Sequence, residues 1–343
     1  MKILLHIRLF LIKITHYEYW PFWLFYLPMY FYGIKLAVRA RSLTYFTAAN
    51  PVMKYGGAFG MSKFDVLQKI DREFVPRGIL IGGEMEEDKL LEEMAGEGLE
   101  FPLVAKPNIG ERGRDVELIK NLEELRQYLQ DRTGDIILQE YITMPMELGI
   151  LYYRLPDGSK EDITSIVIRD FLKVQGDGQK NLQDLIGEKI RALFRRKYLN
   201  RKFRDRLQEI PGKGEVILLE PIGNHNRGTK FLNGNHLINQ KLLEVISGIA
   251  DSIEGFDYGR FDLKAENLET LSGGSGFKII ELNGTNSEPA HIYDPEYRLL
   301  TAYRDIARHM RIILRISQLN HIDGQPYASF RTFVLDLKKH LSR

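Results

Sequence analysis

From Gly78 onward the chain alternates short apolar runs with segments whose apolar residues recur every three or four positions. Read by those two periods, strands fall at Ile79–Ile81, Leu103–Lys106, Val116–Ile119 and Ile136–Glu140, with helices at Glu86–Met94 and Leu122–Gln130 between them. A second set of strands follows at Leu148–Arg154, Ile163–Arg169, Val216–Glu220, Gly259–Lys264 and Phe277–Leu282, and a helix over Leu237–Ile253 leads into the fourth of these. After Pro295 the pattern is mostly helical to Arg343. Mixed elements grouped in this way predict two α+β lobes.

The first part of the chain reads differently. Ile3–Ile14 has the spacing of an amphipathic helix, and Tyr19–Ile34 carries no formal charge and is half or more aromatic. A spanning helix needs about 20 apolar residues. This stretch is shorter and holds Pro21 and Pro28, so an interfacial or core segment is expected in place of a span. Lys35, Arg39 and Arg41 follow it where a secretory signal would have a small-residue cleavage site. Leu43–Ala48 then reads as a short strand, and Asn50, Pro51, Gly56, Gly57 and Gly60 as a loop. Ser62 is placed to cap a helix carrying Phe64, Val66, Leu67 and Ile70. The expected divisions are an aromatic N-terminal region over 1–58, a first lobe over 59–139, a second lobe over 140–318 and a C-terminal helix over 319–343.

Charge changes the picture little. The 343 residues include 48 Lys and Arg against 46 Asp and Glu, a net charge of +2 that gives no bulk attraction for nucleic acid. No cysteine is present, which rules out disulfides, thiolate metal sites and a cysteine nucleophile and fits a reducing, cytoplasmic setting. Basic residues do cluster locally in Glu188–Leu207, whose default reading is a solvated helical face.

Candidate chemistry concentrates in two late strands. Arg260-Phe-Asp262 and Glu281-Leu-Asn283 each place two polar side chains on one strand face, so adjacent strands could aim four polar groups at one point. Oxygen donors beside an arginine suit Mg²⁺ bound to phosphates, whereas the plainer alternative is a polar strand pair facing solvent. His225 and His291 are candidates for acid/base work, although isolated loop histidines are more often simple hydrogen-bonding residues.

Upstream motifs carry a family resemblance. Val104-Ala-Lys106-Pro107 with the loop Gly110-Glu-Arg-Gly113 resembles the nucleotide-binding lysine and phosphate-covering loop of ATP-grasp ligases, D-alanine:D-alanine ligases in particular. Ser62-Lys63 is similar to that family's first ATP-binding lysine, Leu138-Gln-Glu140-Tyr-Ile142 to its adenine-receiving hinge, and Glu147 to its ribose-binding glutamate. The motif Gly176-Asp177-Gly178, with Asn224-His-Asn226-Arg-Gly228-Thr229 later, resembles segments of cyanophycin synthetases and some glutathione-forming ligases, although Gly-Asp-Gly alone makes a tight turn.

The resemblance implies an α+β ATP-grasp fold with a short, diverged aromatic N-terminus and C-terminal helices. It also implies ATP with two Mg²⁺ ions and a carboxylate–amine ligase working through an acyl phosphate. On that footing Lys63, Lys106, Gly110, Gly113, Glu140 and Glu147 would bind ATP. Asp262, Glu281 and Asn283 would hold metal, while Arg260 and Lys106 would serve catalysis. Asn224, Asn226, Thr285 and Ser287 are the substrate-side candidates.

Two departures limit the carry-over. Fewer than 60 residues precede the ATP lobe, and Gly284-Thr-Asn286-Ser287-Glu288-Pro289 stands where D-alanine ligases have threonine-serine-proline-glycine. D-alanine is therefore not expected as substrate. The aromatic and basic residues 1–42 suggest peripheral contact with the inner face of a membrane and a small-molecule or lipid-linked carboxylate and amine, with homo-oligomerisation the competing use of that surface. A small-molecule kinase or a non-catalytic nucleotide-binding protein of the same fold are the alternatives.

Overall fold

The computed structural model describes residues 2–82, 86–110, 115–130, 132, 134–223 and 225–342. The strands are β1 (Gly78–Ile81), β2 (Leu103–Pro107), β3 (Glu117–Ile119), β4 (Ile136–Glu140), β5 (Met146–Arg154), β6 (Glu161–Asp170), β7 (Lys173–Gln175), β8 (Val216–Leu218), β9 (Lys230–Asn233), β10 (Tyr258–Ala265) and β11 (Phe277–Asn283). The chain forms two compact units. The larger comprises Tyr26–Ile168, Asn233–Ile292 and Tyr297–Arg343, and the smaller Met1–Phe25, Arg169–Leu232 and Tyr293–Glu296.

Within the larger unit, one antiparallel sheet has the order β1–β4–β2–β3. Leu103 and Ala105 of β2 and Leu138 of β4 pack on Leu90, Leu125 and Tyr128 from the helices Glu87–Gly96 and Leu122–Gln130. Because side chains alternate along a strand, burying Leu103 and Ala105 turns Lys106 to the opposite face.

A second sheet contains the run β11–β10–β5–β6, paired antiparallel throughout. Phe261, Leu263, Ile279, Leu148 and Ile150 pack on Leu242, Ile246 and Ile249 of the helix Gln240–Asp251. Arg260, Asp262, Glu281 and Asn283 take the alternate positions, with Asp262 paired to Glu281 and Arg260 to Asn283. The register shifts between Asp262 and Leu263, which pairs with Ile279, so Ile280 is an extra residue in β11.

The aromatic region is only partly core: Phe25, Leu36 and Ala37 are buried, whereas Phe22, Trp23, Tyr30 and Phe31 are exposed. Tyr26 hydrogen-bonds Glu288, and the helix Leu27–Ala40 turns Leu36 and Ala37 onto a cluster with Leu151, Tyr153, Tyr258, Ile313 and Leu314. Ile313 and Leu314 belong to the long helix Leu299–Ile322, and a last helix covers Phe330–Leu341. Leu43–Ala48 is no strand: Tyr45–Ala48 is a 3₁₀ turn, and its Ala48 and the following Ala49 are fully buried. The loop that follows holds the architecture together through Asn50, itself fully buried. Its Oδ1 accepts from the backbone N–H of Asp257 and Tyr258, both at 2.9 Å, and its Nδ2 donates to Gly56 O at 2.9 Å and Tyr258 O at 2.8 Å. Gly57 then lies so close to Gly284 that a Cβ on it would stand 2.6 Å from the Gly284 Cα.

In the smaller unit Leu172, Val174, Leu182, Leu185, Leu199 and Leu219 share a core, and β7 pairs with β8. The expected helix over Glu188–Leu207 is broken into Ile190–Leu193, Arg196–Lys202 and a 3₁₀ turn at Arg204–Arg206. Several of its cations are engaged, which departs from a purely solvated face. Arg191 pairs with Glu18, Arg195 reaches Glu220 at 3.1 Å and Lys202 donates to Leu219 O at 2.9 Å. Burial raises the Glu18 carboxyl pKa, but His225 and Arg191 outweigh it and hold the group below the usual carboxylate range. The first helix spans Lys2–Thr15, and among the described residues no helix is long and apolar enough to cross a membrane.

Replacing Asn50 with Ala strands two backbone N–H donors and two carbonyls in a dry interior, and each unsatisfied buried group costs about 1–3 kcal/mol. The expected outcome for Asn50→Ala is a loss of about 3 kcal/mol or more, read as a lowered midpoint in urea unfolding.

Candidate active site

The short helix Lys63–Leu67 begins at Ser62, whose Oγ accepts from Asp65 N at 3.2 Å as the sequence predicts. Asn108, just beyond β2, fixes the same turn: its Oδ1 accepts from Phe64 N at 3.0 Å and from Ser62 Oγ at 3.1 Å, and its carbonyl from Lys63 N at 3.2 Å. This tie sets Lys63 beside the sheet that carries Lys106. Both lysines are buried, at 9% and 7% exposure.

The two cations converge on the end of β11. Lys63 Nζ lies 3.0 Å from Glu281 Oε1. Lys106 Nζ donates to Gln139 Oε1 at 2.8 Å and to Ile280 O at 2.9 Å, so the carbonyl of the extra residue in β11 becomes a lysine acceptor. Burial is the main influence on Lys106 and, with Lys63 also nearby, pulls its pKa down to about 8 against the opposing pull of Glu281. Burial would raise the Glu281 pKa, but Lys63 and then Lys106 overcome it and hold the carboxyl down at about 2.

Asp262, 1% exposed, sits across from Glu281. Arg260 grips it in a fork, Nε to Oδ1 at 2.7 Å and a terminal nitrogen to Oδ2 at 3.1 Å, and Asn283 Nδ2 approaches Oδ2 at 3.4 Å. Gly149 of β5 makes room for this fork, since a Cβ there would lie 2.9 Å from Asp262 Oδ1 and 3.1 Å from Arg260 Cδ. Four of the predicted strand residues thus share one face.

Other predicted residues lie around this cluster. Glu147, 4% exposed, pairs across the sheet with Lys264, whose Nζ is 3.7 Å away and also donates to Ile142 O at 3.0 Å. Glu140 is engaged by Arg77, which bonds it at 3.3 and 3.1 Å and lowers its pKa by those bonds. Gly110 is partly exposed at the end of the loop after β2. Gly113 and Asn224 fall outside the described residues, and so does the side chain of Asn226.

Thr285 N donates to Gly56 O at 3.0 Å, while Thr285 Oγ1 and Ser287 Oγ are buried without a hydrogen-bond partner among the described residues. His291 is 2% exposed and faces Ser165 Oγ at 2.7 Å, Tyr297 OH at 3.2 Å and Asp305 at 3.3 Å, a network internal to the larger unit. His225 lies 3.3 Å from Glu18 in the smaller unit, and Gly176–Gly178 is a turn in which Asp177 accepts from Gln179 N and Lys180 N at 2.8 Å each.

The donor chemistry fits a hard divalent cation. Asp262 and Glu281 supply carboxylate oxygens and Asn283 an amide oxygen from one sheet face, next to three cations able to meet phosphate oxygens. Among the described residues no cluster of three His, Cys, Asp or Glu offers a competing metal site. Gln139, Lys264, Asn108, Arg77 and Gly149 were not singled out from the sequence. Only Gln139 had a local signal, as the neighbour of Glu140 in the hinge motif.

Without nucleotide or metal, Glu281→Gln leaves Lys63 and Lys106 facing one another with less compensation. A loss of about 2 kcal/mol is expected at pH 7, between the values for exposed and buried pairs, because Glu281 keeps 29% side-chain exposure. The Glu281 pKa is depressed in the fold, so its contribution is complete above the unfolded carboxylate range and fades as pH falls toward 2. Urea unfolding in a chelator should therefore show the gap between the wild type and Glu281→Gln narrowing as the pH is lowered from 5 to 3.

A family described as RimK-like ATP-grasp domain matches residues 63–151, a segment that opens at Lys63 and includes Lys106, Glu140 and Glu147. Among solved structures, the chain is similar to a bifunctional glutathione synthetase from Pasteurella multocida, with 15% identity, a TM-score of 0.38 and coverage of 76% of this chain and 38% of that one. It is similar to the VanG D-Ala:D-Ser ligase from Enterococcus faecalis, with 11% identity, a TM-score of 0.45 and coverage of 77% and 64%. A D-alanine–D-alanine ligase from Bacillus anthracis is also similar, with 13% identity, a TM-score of 0.40 and coverage of 76% and 67%. The chain thus spans less than two thirds of the first two of these proteins. No curated protein matches it. Residues 63–151 of this chain are thus similar to a RimK-like ATP-grasp domain, and the mixed helices and antiparallel sheets are the α+β make-up expected of that fold.

Proposed function

We propose that the protein is an ATP- and Mg²⁺-dependent carboxylate–amine ligase, working through an acyl phosphate on a membrane-proximal substrate at the cytoplasmic face. The observation that carries this reading is the buried cluster in which Lys63, Lys106 and Arg260 meet Glu281 and Asp262. So many charges withdrawn from water are costly unless a highly charged ligand uses them.

In this reading Lys63 and Lys106 hold phosphate oxygens of ATP, Glu140 and Glu147 the adenosine end, and Gly110 and Gly113 lie in the loop over the phosphates. Asp262, Glu281 and Asn283 would hold Mg²⁺, which when bound supplies neutralisation of phosphate charge. A substrate carboxylate oxygen attacks the γ-phosphorus and the bond to the ADP oxygen breaks. The amine nitrogen of the second substrate then attacks the acyl carbon, loses a proton, and inorganic phosphate departs as the amide forms. Arg260 donates to the developing oxyanion, while Asn224, Asn226, Thr285 and Ser287 lie on the substrate side. The buried hydroxyls of Thr285 and Ser287 support that placement, because they lack hydrogen-bond partners among the described residues.

The decisive experiment is a screen of carboxylate and amine pairs with purified protein and MgATP, following ADP and phosphate. Release that requires both substrates supports ligation, whereas release with a carboxylate alone at full rate would make the protein a kinase. With an active pair in hand, Glu281→Gln and Asn283→Ala should each lose at least about a hundredfold in turnover, roughly 3 kcal/mol of transition-state stabilisation. Lys106→Ala should weaken ATP binding and slow turnover together, since a lysine on non-reacting phosphates acts in ground and transition states alike. Unchanged ATP affinity by calorimetry would assign Lys106 a purely structural role.

A further inference from the structure

The helix Leu27–Ala40 is apolar on two sides. Its inner side is fixed: Leu36 and Ala37 are buried, and Gly33 lets Met310 approach so closely that a Cβ would lie 3.2 Å from Met310 Cε. The outer side carries Tyr30, Phe31, Ile34 and Val38 at 48, 68, 57 and 73% exposure. A helix at the surface of a water-soluble body ordinarily presents polar residues at those positions. Helical spacing makes them one continuous stripe. Lys35 and Arg39, each one residue after a stripe member and so turned by about 100° from it, run along one flank, and Arg41 closes the helix.

The smaller unit repeats the arrangement independently. In Lys2–Thr15, Ile7, Phe10, Leu11 and Ile14 are 50–63% exposed, again at helical spacing, with Arg8 one residue after Ile7. Trp23 is 62% exposed between these helices in sequence. Charge selects the occupant. From Met1 to Phe64 the sequence has a single acidic residue, Glu18, and that side chain is 5% exposed against Arg191. A second copy docked through the same stripe would bring like charges against like charges, because a two-fold interface is self-complementary. An anionic lipid surface accepts the apolar stripe among its acyl chains and neutralises the flanking cations.

We infer that the outer face of Leu27–Ala40, with Phe31, Ile34 and Val38 inserted and Lys35, Arg39 and Arg41 at the headgroups, docks the protein on an anionic phospholipid bilayer. This deepens the membrane-proximal part of the proposed function and uses none of its chemistry. Deleting the helix is the wrong test, since Leu36 and Ala37 belong to the core.

The test uses the full chain without nucleotide, sedimented with vesicles of equal parts phosphatidylcholine and phosphatidylglycerol, or of phosphatidylcholine alone. Binding to the anionic vesicles is expected, roughly a hundredfold weaker on the neutral ones from the loss of attraction at three cations, and weaker in high salt. The double variant Phe31→Glu/Ile34→Glu should lose vesicle binding while keeping the wild-type thermal midpoint and ATP affinity, because both side chains point away from the core. A full chain that ignores anionic vesicles, or a folded double variant that still sediments with them, overturns the inference. So does light scattering that shows a dimer without vesicle binding, turned into a monomer by the double variant, which would make the stripe a contact between copies. Vesicle binding is read apart from ADP release, so the docking and the ligase chemistry can each fail while the other stands.

Discussion

Everything at the candidate site depends on the meeting of three cations with two carboxylates across a sheet edge. Arg260 pairs with Asp262 and Lys63 with Glu281 at hydrogen-bond distance, and the nearby lysines hold the Glu281 carboxyl below the usual carboxylate range. The lysines in turn would be hard to bury without those carboxylates. Each element around the cluster can be read as its support. The bulge in β11 provides a carbonyl to Lys106, Asn108 anchors the turn that presents Lys63, and Gly149 clears space for the Arg260 fork. In this state the cations satisfy the carboxylates. On the proposed function, an incoming polyphosphate would offer the same cations stronger anionic partners and a metal would offer the carboxylates a replacement, so binding of the two would be mutually reinforcing.

Much of this was legible in the sequence, for identifiable reasons. Period-two alternation placed Arg260, Asp262, Glu281 and Asn283 on shared faces, and the structure puts them there because Phe261, Leu263, Ile279 and Leu282 are the core side of the same strands. Ser62 was readable as a cap because a side-chain oxygen immediately before a helical period has few other uses. The β11 bulge was not readable, because an inserted Ile280 looks like one more residue of an apolar strand. Nor was the partner of Glu140, since Arg77 lies 63 positions away and only the pairing of β1 with β4 brings them together.

The largest misreading concerned the residues before Ser62. Leu43–Ala48 has the composition of a strand, but Tyr45 and Phe46 pack into the cluster that holds Tyr153, Tyr258 and Ile313, and this tertiary packing overrides the local preference, leaving a 3₁₀ turn over Tyr45–Ala48. Asn50 looked like loop punctuation. In the structure its amide substitutes for secondary structure, serving as donor and acceptor to four backbone groups at the start of β10 and in the glycine loop. Side chains that do the work of a missing strand carry no periodic signal.

The closeness of Gly57 to Gly284 has a consequence for how such a chain can vary. Here the segment before Ser62 touches the loop after Asn283 through main chain, with Thr285 N donating to Gly56 O, and the contact consults almost no side-chain identity. An N-terminal segment could therefore change nearly all of its surface, acquiring aromatic or basic character for a new purpose, without disturbing the geometry of the carboxylates it abuts. What it could not do is lose either glycine, because any side chain at that point would push the two loops apart. The junction works as a mechanical socket: indifferent to what is attached, and intolerant only of a change in its own width.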